Sequence, residues 1–129
     1  MTLVLTLVLG VIAALHGLWG LQIWVPIRDE EQLARTVVGA KSVTRMPGAI
    51  PCFFVVAGLV VIIIALWLSF APILWLAIAV FALRGGLAYT KLWRQMTPEE
   101  PFASFDQKYY APLCLGLAAG LLFTLFGGS

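Results

Sequence analysis

Charge is scarce in this chain. Of its 129 residues only 11% are Asp, Glu, Lys or Arg, against roughly 25% in soluble domains, so a water-facing globule is excluded. No carboxylate falls inside any of its long apolar runs. The basic residues are scattered rather than blocked and the net charge is only +2, which speaks against nucleic acid as a partner. One histidine, three methionines (Met1, Met46, Met96) and two cysteines far apart in sequence form no recognisable ligand set, so no metal, haem or other cofactor is expected. Cys52 and Cys114 read as buried free thiols. The first apolar run has no Lys or Arg ahead of it and no small-x-small cleavage site before Trp24, so it reads as a retained helix, not a signal peptide.

What the chain has in abundance is apolar length. It is 62% hydrophobic, and four stretches are each long enough to cross a hydrocarbon core of about 30 Å. The expectation is an all-α fold, a four-helix transmembrane bundle forming a single integral membrane domain over residues 1–129, with spans at about 3–24, 50–70, 73–93 and 109–126. Trp24 anchors the end of the first span and Pro26 stops it. Gly10, Ala13 or Ala14 and Gly17 give that span a small-residue face, and Gly116 and Gly120 do the same for the fourth. Between the first two spans, Asp29–Val38 reads as a short surface helix capped by Asp29, with Leu33, Val37 and Val38 toward the membrane. The second span has no ionisable group and reads as the most lipid-facing. Ala71-Pro72 leaves room only for a tight turn. Thr97 caps a short turn in the second polar connection, and Gly127, Gly128 and Ser129 read as a bare tail.

Orientation follows from the cations. Four spans put both termini and the Ala71-Pro72 turn on one face, which carries no Lys or Arg, while Arg28, Arg35, Lys41, Arg45, Lys91, Arg94 and Lys108 lie on the other. By the positive-inside rule the polar loops are cytoplasmic and both termini are on the non-cytoplasmic side.

One residue breaks the apolar pattern. Arg84 sits inside the third span, where insertion scales charge roughly 2.5–3.5 kcal/mol for a guanidinium, so it needs a partner. At 1.5 Å per residue, His16 and Arg84 lie at similar depth, roughly 10–12 Å below the cytoplasmic interface. Asp106, at the head of the fourth span, is the nearest carboxylate, and an Arg84–Asp106 pair, with bidentate geometry open to it, is the expected anchor. Trp19 shares a helical face with His16. A short internal echo pairs Ala14-Leu15-His16-Gly17 with Ala82-Leu83-Arg84-Gly85, and Pro51-Cys52 with Pro112-Leu113-Cys114, pointing to two paired hairpins.

The chain resembles a known family of small bacterial membrane proteins, domain of unknown function 3995. Leu15-His16 with Trp19-Gly20 and Leu83-Arg84-Gly85 carry part of the likeness. The run Phe102-Ala103-Ser104-Phe105-Asp106 leading into Tyr110-Ala111-Pro112-Leu113-Cys114-Leu115 carries most of it. Two positions depart from the pattern: Ala111 stands where Ser is expected, and Leu87, Ala88 and Tyr89 occupy the place of an acidic residue after the arginine. The second departure weighs against an acid–base pair inside the third span. The resemblance implies a bacterial inner-membrane protein and assigns no activity.

The polar cluster His16, Trp19, Arg84, Tyr89, Asp106, Tyr109 and Tyr110 is the candidate site, ligand-binding or structural. The leading reading is a small binding or accessory module whose partners are membrane lipid, a lipophilic or anionic small ligand and a second copy of the chain. One alternative is a lipophile-modifying enzyme, with Arg84 binding an anion, His16 as acid or base and a tyrosine orienting the substrate. The other is a transporter assembled by oligomerisation through the glycine faces.

Overall fold

A computed structural model describes residues 1–127. Gly128 and Ser129, the end of the expected bare tail, lie outside the described residues. Those described form helices and no strand: α1 (Thr2–Gly20), α2 (Glu30–Val37), α3 (Ala49–Leu68), α4 (Ala71–Leu87), α5 (Lys91–Met96), α6 (Phe102–Phe105) and α7 (Ala111–Leu125), with a π-helical turn, Asp106–Tyr110, joining the last two.

The long helices associate in two pairs, α1 along α3 and α4 along α7, and the pairs meet where α3 adjoins α4 and α1 adjoins α7. Leu9, Leu74 and Leu121, from α1, α4 and α7, are wholly buried at the centre. The outside is the reverse of a soluble bundle. Phe54, Leu68 and Ile50 of α3 are 74%, 73% and 72% exposed, and α1, α4 and α7 carry similar side chains outward. Helices α1 and α3 and the continuous segment Phe102–Leu125 are each long and apolar enough to cross a membrane. Helix α4, 17 residues, is a shorter apolar helix of about 26 Å. An apolar belt of this extent points to a membrane protein.

The helix ends depart from the expected spans for identifiable reasons. Helix α1 stops at Gly20, not Trp24, because Gln22 takes a positive φ of 62° and the Trp19 indole donates to the Val25 carbonyl at 2.8 Å, folding the chain back. Trp24 then packs against Trp19 and its neighbours. The turn between α3 and α4 is Ser69-Phe70, with Ser69 left-handed at φ 54°, while Ala71 and Pro72 already open α4. The third span ends at Leu87 rather than Trp93, and the fourth helical segment begins at Phe102, before its expected start.

Asp29 caps α2 as expected, accepting from the Glu31 amide at 3.1 Å. The membrane-facing assignment of Leu33 is overturned: it is fully buried in a cluster with Trp19, Ala34, Met46 and Cys52, with Val37 and Val38 partly buried against them. Burying a leucine contributes about 1.5–3 kcal/mol, enough to fold α2 down onto the bundle. Of the glycines expected to form outward faces, Gly17 and Gly120 meet Val56 and Leu5 of the same chain, while Gly10 and Gly116 face open space.

Candidate functional site

Arg84 lies in the last turn of α4, whose helix ends three residues later. The Thr90 hydroxyl caps α5 by accepting from the Trp93 amide at 3.3 Å, which restarts the helix in a new direction. Through that break α5 turns Trp93 and Arg94 toward the same carboxylate that Arg84 reaches. The carboxylate is Asp106, fully buried at 0% exposure. Arg84 Nη2 donates to Oδ1 at 2.8 Å; the Trp93 indole donates to Oδ2 at 2.8 Å, and Arg94 Nη2 donates to that oxygen as well. The Arg84–Asp106 contact is therefore single-pronged, not bidentate, because the second oxygen is occupied by α5. Arg84 also stacks on the Trp93 ring, its Cζ 4.6 Å from the centroid, a cation–π contact.

Asp106 opens the π turn, in which the Ala111 amide bonds back to the Asp106 carbonyl. A π turn accommodates one residue more than an α-helical turn and recurs at functional sites. Here it sets the carboxylate between α4 and α5. Two guanidiniums against one carboxylate leave the cluster with a formal excess of one positive charge. Two of its buried nitrogens, Arg84 Nη1 and Arg94 Nε, have no hydrogen-bond partner among the described residues. Arg94 is otherwise well held, donating from Nη1 to the Ala103 carbonyl at 2.9 Å.

Beside this knot lies a cavity of about 480 Å³, within the ~300–1,000 Å³ range of small-molecule sites, whose walls include His16, Trp19, Cys52, Arg84, Trp93 and Phe102. His16 is oriented from its own helix: Nδ1 lies 2.8 Å from the Ile12 carbonyl. A carbonyl only accepts, so Nδ1 carries the proton and Nε2 is the edge without a partner among the described residues. The His16 and Trp19 rings pack 4.9 Å apart.

The candidate residues thus divide. His16, Trp19 and Arg84 come together on the cavity, with Asp106 behind Arg84. The tyrosines do not join them. Tyr89 is exposed and donates to the Gln107 carbonyl at 2.9 Å; Tyr109 packs on Phe105 with centroids 5.6 Å apart; Tyr110 donates to the Thr36 carbonyl at 2.9 Å, tying the π turn to α2. Trp93, Arg94 and Phe102 are the site residues that sequence reasoning missed. A usable signal existed for the first two in Thr90, a capping residue three positions before Trp93. Among the described residues no group of three His, Cys, Asp or Glu side chains could hold a metal ion.

Beyond the site, Glu99 clasps the two polar connections. Its carboxylate accepts from the Ser42 amide at 2.9 Å and from Arg35 at 3.1 Å, and these contacts, the amide first, hold the carboxyl below the usual carboxylate range.

A family model described as "Protein of unknown function (DUF3995)" matches residues 9–122. The chain belongs to this family. The matched range takes in the whole Arg84–Asp106 knot and the His16 wall of the cavity. No curated protein and no solved structure matches the chain.

Proposed function

We propose that the protein is a small binding module of the bacterial inner membrane, one four-span domain that holds a lipophilic ligand in the cavity beside Arg84. The carrying observation is a cavity walled mostly by apolar side chains that also has Arg84 on its wall, the guanidinium side chain 29% exposed and part of a cluster with one formal positive charge in excess. A guanidinium in a largely apolar wall favours a ligand that brings an anionic oxygen to it. The remaining guanidinium contacts, to Asp106 and Trp93, fix its position in advance, which lowers the cost of binding. The cation distribution supports cytoplasmic polar loops and termini on the opposite side.

Two measurements test this reading. Native mass spectrometry of protein released from lipid nanodiscs should find a retained small lipophile, and Val55→Phe, which fills the cavity from α3, should abolish retention. Retention unaffected by Val55→Phe would move the ligand elsewhere and sink the proposal. For topology, cysteine introduced at Ser69 should react with an impermeant reagent in intact cells and cysteine at Lys41 should not; the reverse pattern would invert the orientation. A second reading, a lipophile-modifying enzyme, is favoured by one observation: His16 Nε2 lacks a partner among the described residues on a wall shared with Arg84.

A further inference from the structure

The polar edges that border the cavity restrict what can fill it. Most are already used. The Trp19 indole donates to Val25 and the Trp93 indole to Asp106, and the Cys52 thiol lies 3.9 Å from the Pro47 carbonyl. Two edges remain, and they differ in kind. Arg84 brings a cation to the wall, its side chain 29% exposed, backed by a cluster whose formal charges, Arg84 and Arg94 against Asp106, sum to one positive. His16, with its proton fixed on Nδ1 by Ile12, presents Nε2 as an acceptor when neutral.

A head group that satisfies both must offer an anionic oxygen and an O–H. A carboxylate supplies only the first and an alcohol only the second. A phosphomonoester in its singly charged form supplies both from one phosphorus. The other lining groups, among them Val38, Met46, Val55 and Phe102, are apolar, and a volume near 480 Å³ sits in the lower part of the ~300–1,000 Å³ range of ligand sites. That fits one chain better than a two-chain lipid.

Building on the binding-module reading, we infer that the ligand is a single-chain amphiphile with a phosphomonoester head, its anionic oxygen on Arg84 and its P–OH on His16 Nε2. No bond is made or broken in this proposal.

The test is a competition among matched chains. Protein in phosphatidylcholine nanodiscs is offered dodecyl phosphate, dodecanoate and dodecanol at equal concentration, and bound species are counted by native mass spectrometry. The expected order is phosphate, then carboxylate, then alcohol, each lost contact weakening binding about tenfold. His16→Phe should bring the phosphate down to the carboxylate level and leave the carboxylate unchanged. Arg84→Gln should bring both acids down to the alcohol level, and Arg84→Lys should restore part of the acid preference. Should Arg84→Gln fail to fold, the wild-type order and His16→Phe decide the matter alone. Equal binding of all three probes would overturn the head-group assignment while leaving the cavity a lipophile site. Binding of none would remove both proposals. Displacement of dodecyl phosphate by an equal concentration of inorganic phosphate would overturn the chain requirement.

Discussion

His16 and Arg84 hold corresponding places in the two helix pairs, each in the sequence Ala-Leu-X-Gly, yet the protein treats them differently. His16 is held from within its own helix, Nδ1 on the Ile12 carbonyl. Arg84 recruits a buried carboxylate, a π turn and a short helix that folds back to bring Trp93 and Arg94. An imidazole is placed by one hydrogen bond to its own helix; a guanidinium needs a counter-charge and several acceptors. The connection in the first pair is accordingly held by apolar burial of Leu33 against Trp19 and Cys52, and the connection in the second by a polar knot. The nature of one side chain per pair has dictated what its loop must become.

The contrast can be broken most directly at Asp106. Asp106→Asn removes the counter-charge that Arg84 and Arg94 share, and should cost about 3 kcal/mol, the lower end for a broken buried pair because both guanidiniums retain some exposure. Thermal unfolding in nanodiscs measures it, and His16→Ala beside it should cost about 1 kcal/mol. Equal losses from the two substitutions would erase the distinction between the pairs.

Gly39→Ala comes next, at about 2 kcal/mol. Gly39 has φ 68°, and a Cβ there would lie 2.1 Å from Phe102 Cδ1, so the substitution strains the loop and pushes a wall of the cavity. Denaturation midpoints would register it, and an unperturbed midpoint would mean that the loop yields freely. The residues following His16 and Arg84 then give opposite outcomes. A Cβ on Gly85 would meet Leu115 Cγ at 2.6 Å and the Ala111 carbonyl at 3.0 Å, so Gly85→Ala should cost about 1–2 kcal/mol. A Cβ on Gly17 meets only Val56, at 3.9 Å, and Gly17→Ala should be neutral or gain up to about 1 kcal/mol from helix propensity. Like signs for the two would contradict the closer seating of α4 on α7.

The smallest effect is at Glu99. Its folded-state carboxyl is held low by the Ser42 amide and Arg35, so its contribution to stability is present above the ordinary glutamate value of about 4.3 and fades as pH falls through the lower folded value. The difference in melting temperature between wild type and Glu99→Gln should shrink on acidification; a difference that is flat with pH would show that the clasp does not depend on charge.

Much of this was legible from helical geometry. The meeting of Arg84 with Asp106, and the shared wall of His16 and Arg84, followed from a fixed rise per residue applied to apolar runs. The all-helical fold and the family were readable from the same runs and from the Phe102–Leu115 segment. The failures occur where hydropathy continues through a break in backbone direction. Leu87, Ala88, Tyr89, Leu92 and Trp93 read as one apolar helix that ends at Trp93 with Arg94 in the loop beyond it, whereas Thr90 turns both inward. Leu33 read as membrane-facing because its neighbours across the fold, Trp19 and Cys52, are far away in sequence. The tyrosines near Asp106 looked like site residues by proximity, but the phase of the π turn sends Tyr109 to Phe105 and Tyr110 to Thr36.

That phase is a dimension of its own. The segment Phe102–Leu125 runs as one helix with an extra residue lodged at Asp106–Tyr110. An α-helix advances about 100° per residue, so the turn acts as a fixed rotational offset between the rod that carries Asp106 and the rod that carries Leu117 and Leu121. Removing Lys108, which leaves every named contact residue in place, would let the helix close into an ordinary α-helix. Either the carboxylate or the leucine face would then point about 100° away from its neighbours. In this protein the spacing between the charge and the core is as much a part of the site as the residues that occupy it.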